Sequence, residues 1–255
     1  AKSLSITGPF NIQFLLKENQ VYIIEINMRA SRTFPFIAKV TGINMIKLFV
    51  DSLFQKNISE VTVPKIKFTA IKVAQFSFAR LIGAHPRLGV EMASTGEVAC
   101  FGKDTEEAFL KGILATGGKI PTKGIFVSVG GDKKKQDFLE SAKILSKLNI
   151  PLYATEKTAK FFTENGIKVK TLYKIHEKKS PNILDYFQSS KIDLVINIVE
   201  QNIKKDVDDD YQIRRTAVDS NILILTKIKK AELFIRALNN KKLEDLEVKA
   251  WSEYL

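Results

Sequence analysis

From Gly124 onward the chain alternates short apolar runs with helical patterns, and this rhythm restricts the fold more than any other feature. Strand patterns fall at 125–129, 152–154, 169–172, 194–198 and 222–225, with helical patterns at 134–147, 156–165, 182–189, 211–219 and about 230–238. Strands separated by helices of this length pair in parallel, because a parallel neighbour needs a long crossover connection. A parallel sheet is then covered on both faces, giving an α/β, doubly wound architecture. Ligands on such sheets bind beyond the carboxyl ends of the strands.

Three segments at those ends carry polar chemistry. After the first strand, Ser128-Val129-Gly130-Gly131-Asp132-Lys133 is small and ends in a cation at a helix start. After the second, Thr155 and Thr158 place two hydroxyls on a first helical turn, where backbone N–H groups attract anions. After the third, Lys174-Ile175-His176-Glu177-Lys178-Lys179 adds positive charge. Together they predict a phosphate or carboxylate pocket. Each also has a plainer reading: Gly130-Gly131 as a strand-helix turn, Thr155 as an N-cap. Neither a G-x-G-x-x-G nor a Walker A sequence occurs.

The first 120 residues read as a separate part, joined to 121–255 by Pro121-Thr122-Lys123-Gly124. Two apolar runs, 11–16 and 21–24, flank the polar Lys17-Glu18-Asn19-Gln20, which is a hairpin pattern. The hairpin brings Gln13 beside Glu25, and Asn27 lies two residues on, hence on the same face. Amide and carboxylate oxygens are hard ligands suited to Mg²⁺ shared with phosphate, and Arg29 and Arg32 offer forked donors for the anion. The plainer reading is a Glu25–Arg29 surface pair. A helical pattern runs through Ile37, Val40, Ile46, Phe49, Val50 and Leu53, followed by strand-like stretches over 58–70 (Val61, Val63, Ile66, Phe68) and an Ala/Leu helix over 106–114.

Composition narrows the function classes. The 255 residues are 45% apolar, and 40 Lys+Arg against 28 Asp+Glu give a net charge of +12. The lysines are dispersed without aromatic-basic interleaving, so a solvated surface is expected and nucleic-acid binding is not. No apolar run reaches membrane-spanning length and no signal peptide precedes the first strand, so neither membrane nor export is expected. The single Cys100, in an apolar context, reads as a buried core thiol in a reducing cytoplasm. His85 and His176 are too isolated to build a metal cluster.

These motifs carry a resemblance. The stretch Gly8-Pro9-Phe10-Asn11-Ile12-Gln13-Phe14 through Glu25-Ile26-Asn27-Met28-Arg29-Ala30-Ser31-Arg32-Thr33-Phe34-Pro35-Phe36 resembles the end of the second ATP-grasp module of the carbamoyl phosphate synthase large subunit. Glu91-Met92-Ala93-Ser94-Thr95-Gly96-Glu97-Val98 resembles that family's next signature. Residues 124–240 are similar to its methylglyoxal-synthase-like allosteric domain, especially Ala154–Thr158 and Tyr211–Asp219. The resemblance implies that Gln13, Glu25 and Asn27 bind Mg²⁺ (or Mn²⁺) of the second ATP, with Arg29 and Arg32 lining the site where carbamate is phosphorylated. It implies an effector site at Ser128, Lys133, Thr155, Thr158, Lys174 and Asn197. The implied partners are the remainder of the large subunit, a glutaminase subunit or domain, and a small phosphorylated effector, with a homo-oligomer possible through the allosteric domain. The adenine pocket and phosphate-covering loop of an ATP-grasp module are missing, so the expectation is a piece that is inactive alone. Asn197-Ile198-Val199 lacks the hydroxyls of nucleotide-regulated members. Lys174 stands in place of the tryptophan of acetylglutamate-activated members, and Glu200 and Asp210 in place of their asparagines. A stand-alone lyase of the methylglyoxal synthase type is the rival, but Lys179-Ser180-Pro181-Asn182 supplies no carboxylate base where that chemistry needs one. A purely regulatory ligand-binding module is the third reading.

Overall fold

The computed structural model describes residues 1–76, 81, 83, 84, 86, 94–199 and 204–254. His85, Glu200 and the Glu91-Met92-Ala93 part of the second family signature lie outside the described residues. The chain divides into two compact units, Ala1–Ala70 with Val248–Leu255, and Ile71–Glu247.

In the first unit, β1 (Asn11–Lys17) and β2 (Gln20–Asn27) form the expected antiparallel hairpin. Glu18 and Asn19 at the turn both have positive φ, 51° and 61°, the backbone of a tight turn whose twist matches the flanking strands. A bulge at the Gln13/Phe14 step pairs Gln13 with Glu25 and Phe14 with Ile23. The helical pattern over 37–53 is two helices, not one: α1 (Phe34–Thr41) stops at Gly42, whose φ is 71°, and α2 (Met45–Leu53) begins at Asn44. Left-handed Gly ends the first, and the Asn44 side chain, accepting from Lys47 N at 2.9 Å, starts the second. Of the stretch at 58–70, only Thr69 and Ala70 lie in a strand, and 58–68 do not. Pro64 removes a ladder donor, and Val61 and Val63 are 42% and 63% exposed, so nothing rewards their alternation. The C-terminal residues return to this unit, with Trp251 Nε1 donating to Lys39 O at 2.7 Å and Phe68 and Tyr254 packed edge to face.

The second unit holds a two-stranded sheet, β3 (Thr69–Phe76) with β4 (Ser94–Gly102), then α3 (Thr105–Ala115). After them comes the expected parallel sheet: β5 (Ile125–Val129), β6 (Leu152–Ala154), β7 (Lys170–Thr171), β8 (Leu194–Ile198) and β9 (Leu223–Leu225). Its order is β7-β6-β5-β8-β9. The connecting helices are α4 (Asp132–Ser146), α5 (Glu156–Glu164), α6 (Ile183–Gln188), α7 (Lys204–Asp219) and α8 (Ile228–Asn240). β5 and β8 are buried at every position, and alternate residues serve opposite cores. Ile125, Val127, Val129, Leu194, Ile196 and Ile198 meet Phe109, Phe138, Phe162 and Phe234 from α3, α4, α5 and α8. Phe126 and Val195 point the other way, to Ile183, Phe187, Ile213 and Ala217 of α6 and α7.

Two details fix the sheet's entry. Asp193 accepts from the backbone N–H groups of Thr122, Lys123 and Gly124 at 2.8, 3.0 and 3.2 Å. A Cβ on Gly124 would lie 2.4 Å from Lys191 O, so no larger residue fits there without movement. Helix α7 starts at Lys204, seven residues before the periodicity expected at 211, because the polar run Lys204-Lys205-Asp206-Val207-Asp208-Asp209-Asp210 hides its beginning. Among the described residues no helix is long and apolar enough to cross a membrane.

Candidate functional site

The hairpin assembles the first set of predicted residues. Gln13 is the cross-strand partner of Glu25, and Asn11 is the partner of Asn27. Directly opposed residues in an antiparallel pair share a face, so Asn11, Gln13, Glu25 and Asn27 project together. Asn27 Nδ2 donates to Glu25 Oε1 at 3.0 Å, which orients the carboxylate. Sequence reasoning missed Asn11, although its spacing of two from Gln13 was a readable signal. Arg29 follows the strand and donates to Ala30 O at 3.3 Å; Arg32 is exposed just before α1. The donor set is hard, oxygen-rich and carries one negative charge. It fits a Mg²⁺ that takes its other ligands from phosphate, and is too weakly charged to hold a cation by itself.

The same hairpin exposes Phe14, Leu15, Leu16, Val21, Tyr22, Ile23 and Ile24, each between 48% and 69%. A two-stranded ribbon with this much apolar surface is not a finished structure, since isolated hairpins are at best marginal in water.

The second set meets at the carboxyl ends of β5, β6 and β8, where the sheet order reverses. A cavity of about 270 Å³ lies there, lined among others by Ser128, Gly131, Lys135, Thr155, Thr158 and Lys174. Thr155 occupies the N-cap position of α5 but makes no side-chain cap bond. Its hydroxyl instead donates within a buried cluster, 3.2 Å from Thr158 Oγ1 and 3.5 Å from Ser128 Oγ. Thr158 Oγ1 in turn accepts from Val129 N at 3.1 Å. The plain N-cap reading of Thr155 therefore fails, because the hydroxyl faces the cavity wall. The N-terminus of α4 also lacks a side-chain cap, its N-cap being Gly131 with φ 78°.

The lysines separate by helical phase. Lys133 is exposed and is not among the residues lining the cavity. Lys134 Nζ donates to Val199 O at 2.6 Å. Lys135, two residues past the lysine singled out in the sequence, turns inward. Lys174 lines the cavity with its Nζ 3.8 Å from Asp209 Oδ2, and His176 Nδ1 binds the same oxygen. Asn197 is fully buried behind the wall, not in it. It donates from Nδ2 to Asp210 Oδ1 at 2.9 Å and accepts from Arg214 Nε at 2.7 Å. Asp210 is the residue of that chain that reaches the cavity. Asp132 has its carboxyl held below the usual range by the hydrogen bond from Lys135. Cys100 is buried as expected, and burial pushes its thiol up, away from reactivity. Among the described residues no group of three or more His, Cys, Asp and Glu is placed to hold a metal ion.

Comparison with known proteins bears on both parts. Residues 137–226 match the family model "MGS-like domain", and residues 1–77 match "ATP-grasp in the biosynthetic pathway with Ter operon". Multifunctional protein URA2 of Saccharomyces cerevisiae is 43% identical over 249 residues, 93% of this chain and 11% of that protein. Carbamoyl-phosphate synthase (ammonia), mitochondrial, of Homo sapiens is 40% identical over 256 residues, 96% of this chain and 17% of that protein. The chain thus spans a small fraction of the length of the curated relatives it matches. A solved methylglyoxal synthase from Elizabethkingia anophelis NUHP1 is 17% identical and covers 53% of this chain and 91% of its own, with a TM-score of 0.37. That score is too low to carry an argument.

Proposed function

Since the chain belongs to the carbamoyl-phosphate synthase family and matches the end of its large subunit, we propose that it completes an ATP-dependent ligase. The whole enzyme makes carbamoyl phosphate from bicarbonate, ATP and ammonia, the last drawn from glutamine through a glutaminase partner, for pyrimidine or arginine synthesis. Gln13, Glu25 and Asn27, with Asn11 beside them, would hold the Mg²⁺ (or Mn²⁺) of the second ATP. That ion supplies charge neutralisation at the transferring phosphoryl group. Arg29 and Arg32 bind the anionic oxygens and orient them for transfer.

The observation that carries this reading is the cross-strand pairing of Gln13 with Glu25, with Asn27 bonded to the same carboxylate. The remainder of the large subunit is the partner we infer for the apolar hairpin. We place the module boundary at the Pro121–Gly124 linker, with 1–120 as the ATP-grasp piece and 121–255 as the effector domain. The setting we infer is the cytoplasm, on the reduced state expected of Cys100. The cavity at the strand ends is proposed to bind a small phosphorylated effector through Ser128, Thr155, Thr158 and Lys174. Lys133, exposed, and Asn197, behind the wall, do not line that cavity.

The test joins the chain to the missing part of the subunit and measures carbamoyl phosphate synthesis. The reconstituted protein should be active, Glu25→Gln should lower turnover about a hundredfold or more, and the chain alone should not hydrolyse ATP. ATP turnover by the chain alone, or full activity of the Glu25→Gln protein, would refute the reading. For the effector, thermal shift with UMP, UTP, IMP, phosphoribosyl pyrophosphate and acetylglutamate, repeated on Lys174→Ala, identifies the ligand.

A further inference from the structure

Helix α1 ends on a carbonyl that its chain neighbours do not satisfy. Continuing the helix would bring the Ile43 N–H to Lys39 O. Gly42 turns left-handed instead, and Ile43 N donates to Thr41 Oγ1 at 3.2 Å. The Lys39 carbonyl is taken up by the indole of Trp251, whose Nε1 donates to it at 2.7 Å. Lys39 meets the same ring with its side chain, Nζ lying 5.0 Å from the centroid, a cation–π contact. Trp251 therefore caps a helix that lies 212 residues away in sequence, satisfying one of the carbonyls every helix end leaves over.

The segment around Trp251 is shaped for this contact. Trp251–Glu253 is one 3₁₀ turn, with Glu253 N–H donating to Ala250 O at 3.0 Å and Tyr254 N–H to Trp251 O at 3.2 Å. A period of three sets Trp251 and Tyr254 on one side, and the Tyr254 ring rests on Phe68, centroids 5.3 Å apart. The other end of α1 is held too. Phe34, its first residue, is buried, and Phe34 N and Thr33 N donate to Ser31 O and Oγ at 3.1 and 3.2 Å. Arg32 sits inside that bonded turn, so its backbone moves with α1. A helix held only at Phe34 can swing about that point, and a second hold at Lys39 fixes its axis. A swing of about 10° would carry the tip of a side chain as long as arginine by about 1 Å, a misplacement large enough to slow a reaction.

We propose that Trp251 is a positioning residue for phosphoryl transfer: by capping α1 it fixes the direction in which Arg32 presents its guanidinium. This inference rests on the ATP-site reading above. It also means that the ATP-grasp piece is completed by residues that follow the parallel sheet in sequence. Glu247, paired with Lys103 at 2.9 Å, is the last residue of the second unit. Val248, 97% exposed, opens the segment that belongs to the first. Only the hydrogen bond and the ring contact at Lys39 carry the effect, so Trp251 itself touches neither ATP nor carbamate.

The experiment joins the chain to the remainder of the large subunit and compares wild type with Trp251→Phe, Trp251→Ala and Lys39→Met, each first checked for native circular dichroism. Trp251→Phe keeps a ring beside Lys39 and removes only the N–H donor. Its kcat for carbamoyl phosphate synthesis should fall about three- to tenfold, the scale of one hydrogen bond, with the KM for ATP within about twofold of wild type. That split marks an interaction felt in the transition state and not in ground-state binding. Trp251→Ala should lose more, and Lys39→Met, which keeps the carbonyl, should stay within about twofold. Amide hydrogen exchange in the last turn of α1 should quicken in both Trp251 variants, as a frayed helix end requires. Faster exchange with unchanged kcat, or with a raised KM alone, overturns the positioning role while leaving the ATP site standing. Unchanged exchange overturns the cap itself. Full activity of Glu25→Gln in the same protein overturns the ATP-site reading and this inference with it.

Discussion

At the scale of single residues, two positions connect burial to measurable stability. Lys230, on the first turn of α8, lines a second cavity among Val73, Ile113, Ile222 and Ile224, with no ion-pair partner among the described residues. Burial holds its amine below the ordinary lysine value of about 10.4. The native state therefore binds fewer protons than the unfolded chain between the lowered value and about 10.4, so stability from this group rises with pH across that window. Lys230→Met is expected to unfold at a higher temperature than wild type at pH 7, and the advantage should shrink as pH approaches 10. A gap that stays constant with pH would mean the amine is not desolvated. The second position is Asp193, whose three backbone acceptances tie the linker to β8. Asp193→Ala should cost about 1–2 kcal/mol in denaturant melts, chiefly because the buried Gly124 N–H loses a charged acceptor, the Thr122 and Lys123 N–H groups being exposed to water. Some of this was legible beforehand. Cys100 in its apolar context is the buried thiol its neighbours imply, because burial follows local composition. The inward turn of Lys135 was not legible, since Lys133, Lys134 and Lys135 are chemically identical and only the phase of α4 tells them apart.

At the scale of elements, the most consequential finding is where α3 packs. Its Phe109, Leu110 and Ile113 are part of the core shared with α4, α5 and α8. Phe109 meets Phe234 edge to face at 6.4 Å. At the rim Arg236 pairs with Glu106 at 2.7 Å and Lys241 with Asp104 at 2.5 Å. The Asp104 carboxyl is held low, and the Lys241 amine high, by that shared bond. Phe109→Ala should destabilise the unit by about 3–5 kcal/mol. A fragment beginning at Pro121 should melt well below one spanning 71–247. Equal melting temperatures would show that α3 is dispensable. Period and turn chemistry revealed β5, β6 and β8 to the residue, since each is a short apolar run bounded by breakers. They did not reveal that the 37–53 pattern is two helices. Gly42 reads as tolerable within a helix until its φ of 71° is seen.

At the scale of the whole chain, stability and activity part company. The parallel-sheet unit has a continuous two-sided core, whereas the hairpin keeps its apolar side chains in water. The chain alone should accordingly self-associate as its concentration rises, in a way that the adjoining remainder of the large subunit, the partner proposed above, suppresses. Light scattering of the chain alone, compared with the reconstituted protein, measures this; monomeric behaviour at high concentration in both would mean that the exposed ribbon is not an interface.

What the sequence determined by itself was whatever depends on neighbours along the chain. Alternation of strand and helix set the parallel sheet, and spacings of two put Glu25 with Asn27 and, through a four-residue turn, Gln13 opposite Glu25. Local geometry transmits such patterns faithfully because backbone periods are fixed. Only the tertiary structure decided what depends on distant packing. It turned the Thr155 hydroxyl toward Ser128 instead of the helix end, and withdrew Asn197 behind the wall to Arg214 and Asp210. It buried Lys135 against a carboxylate that stays in water, and added α3 to a core built by later residues. These choices follow from competition for a limited interior, where each side chain's place depends on which others are already there.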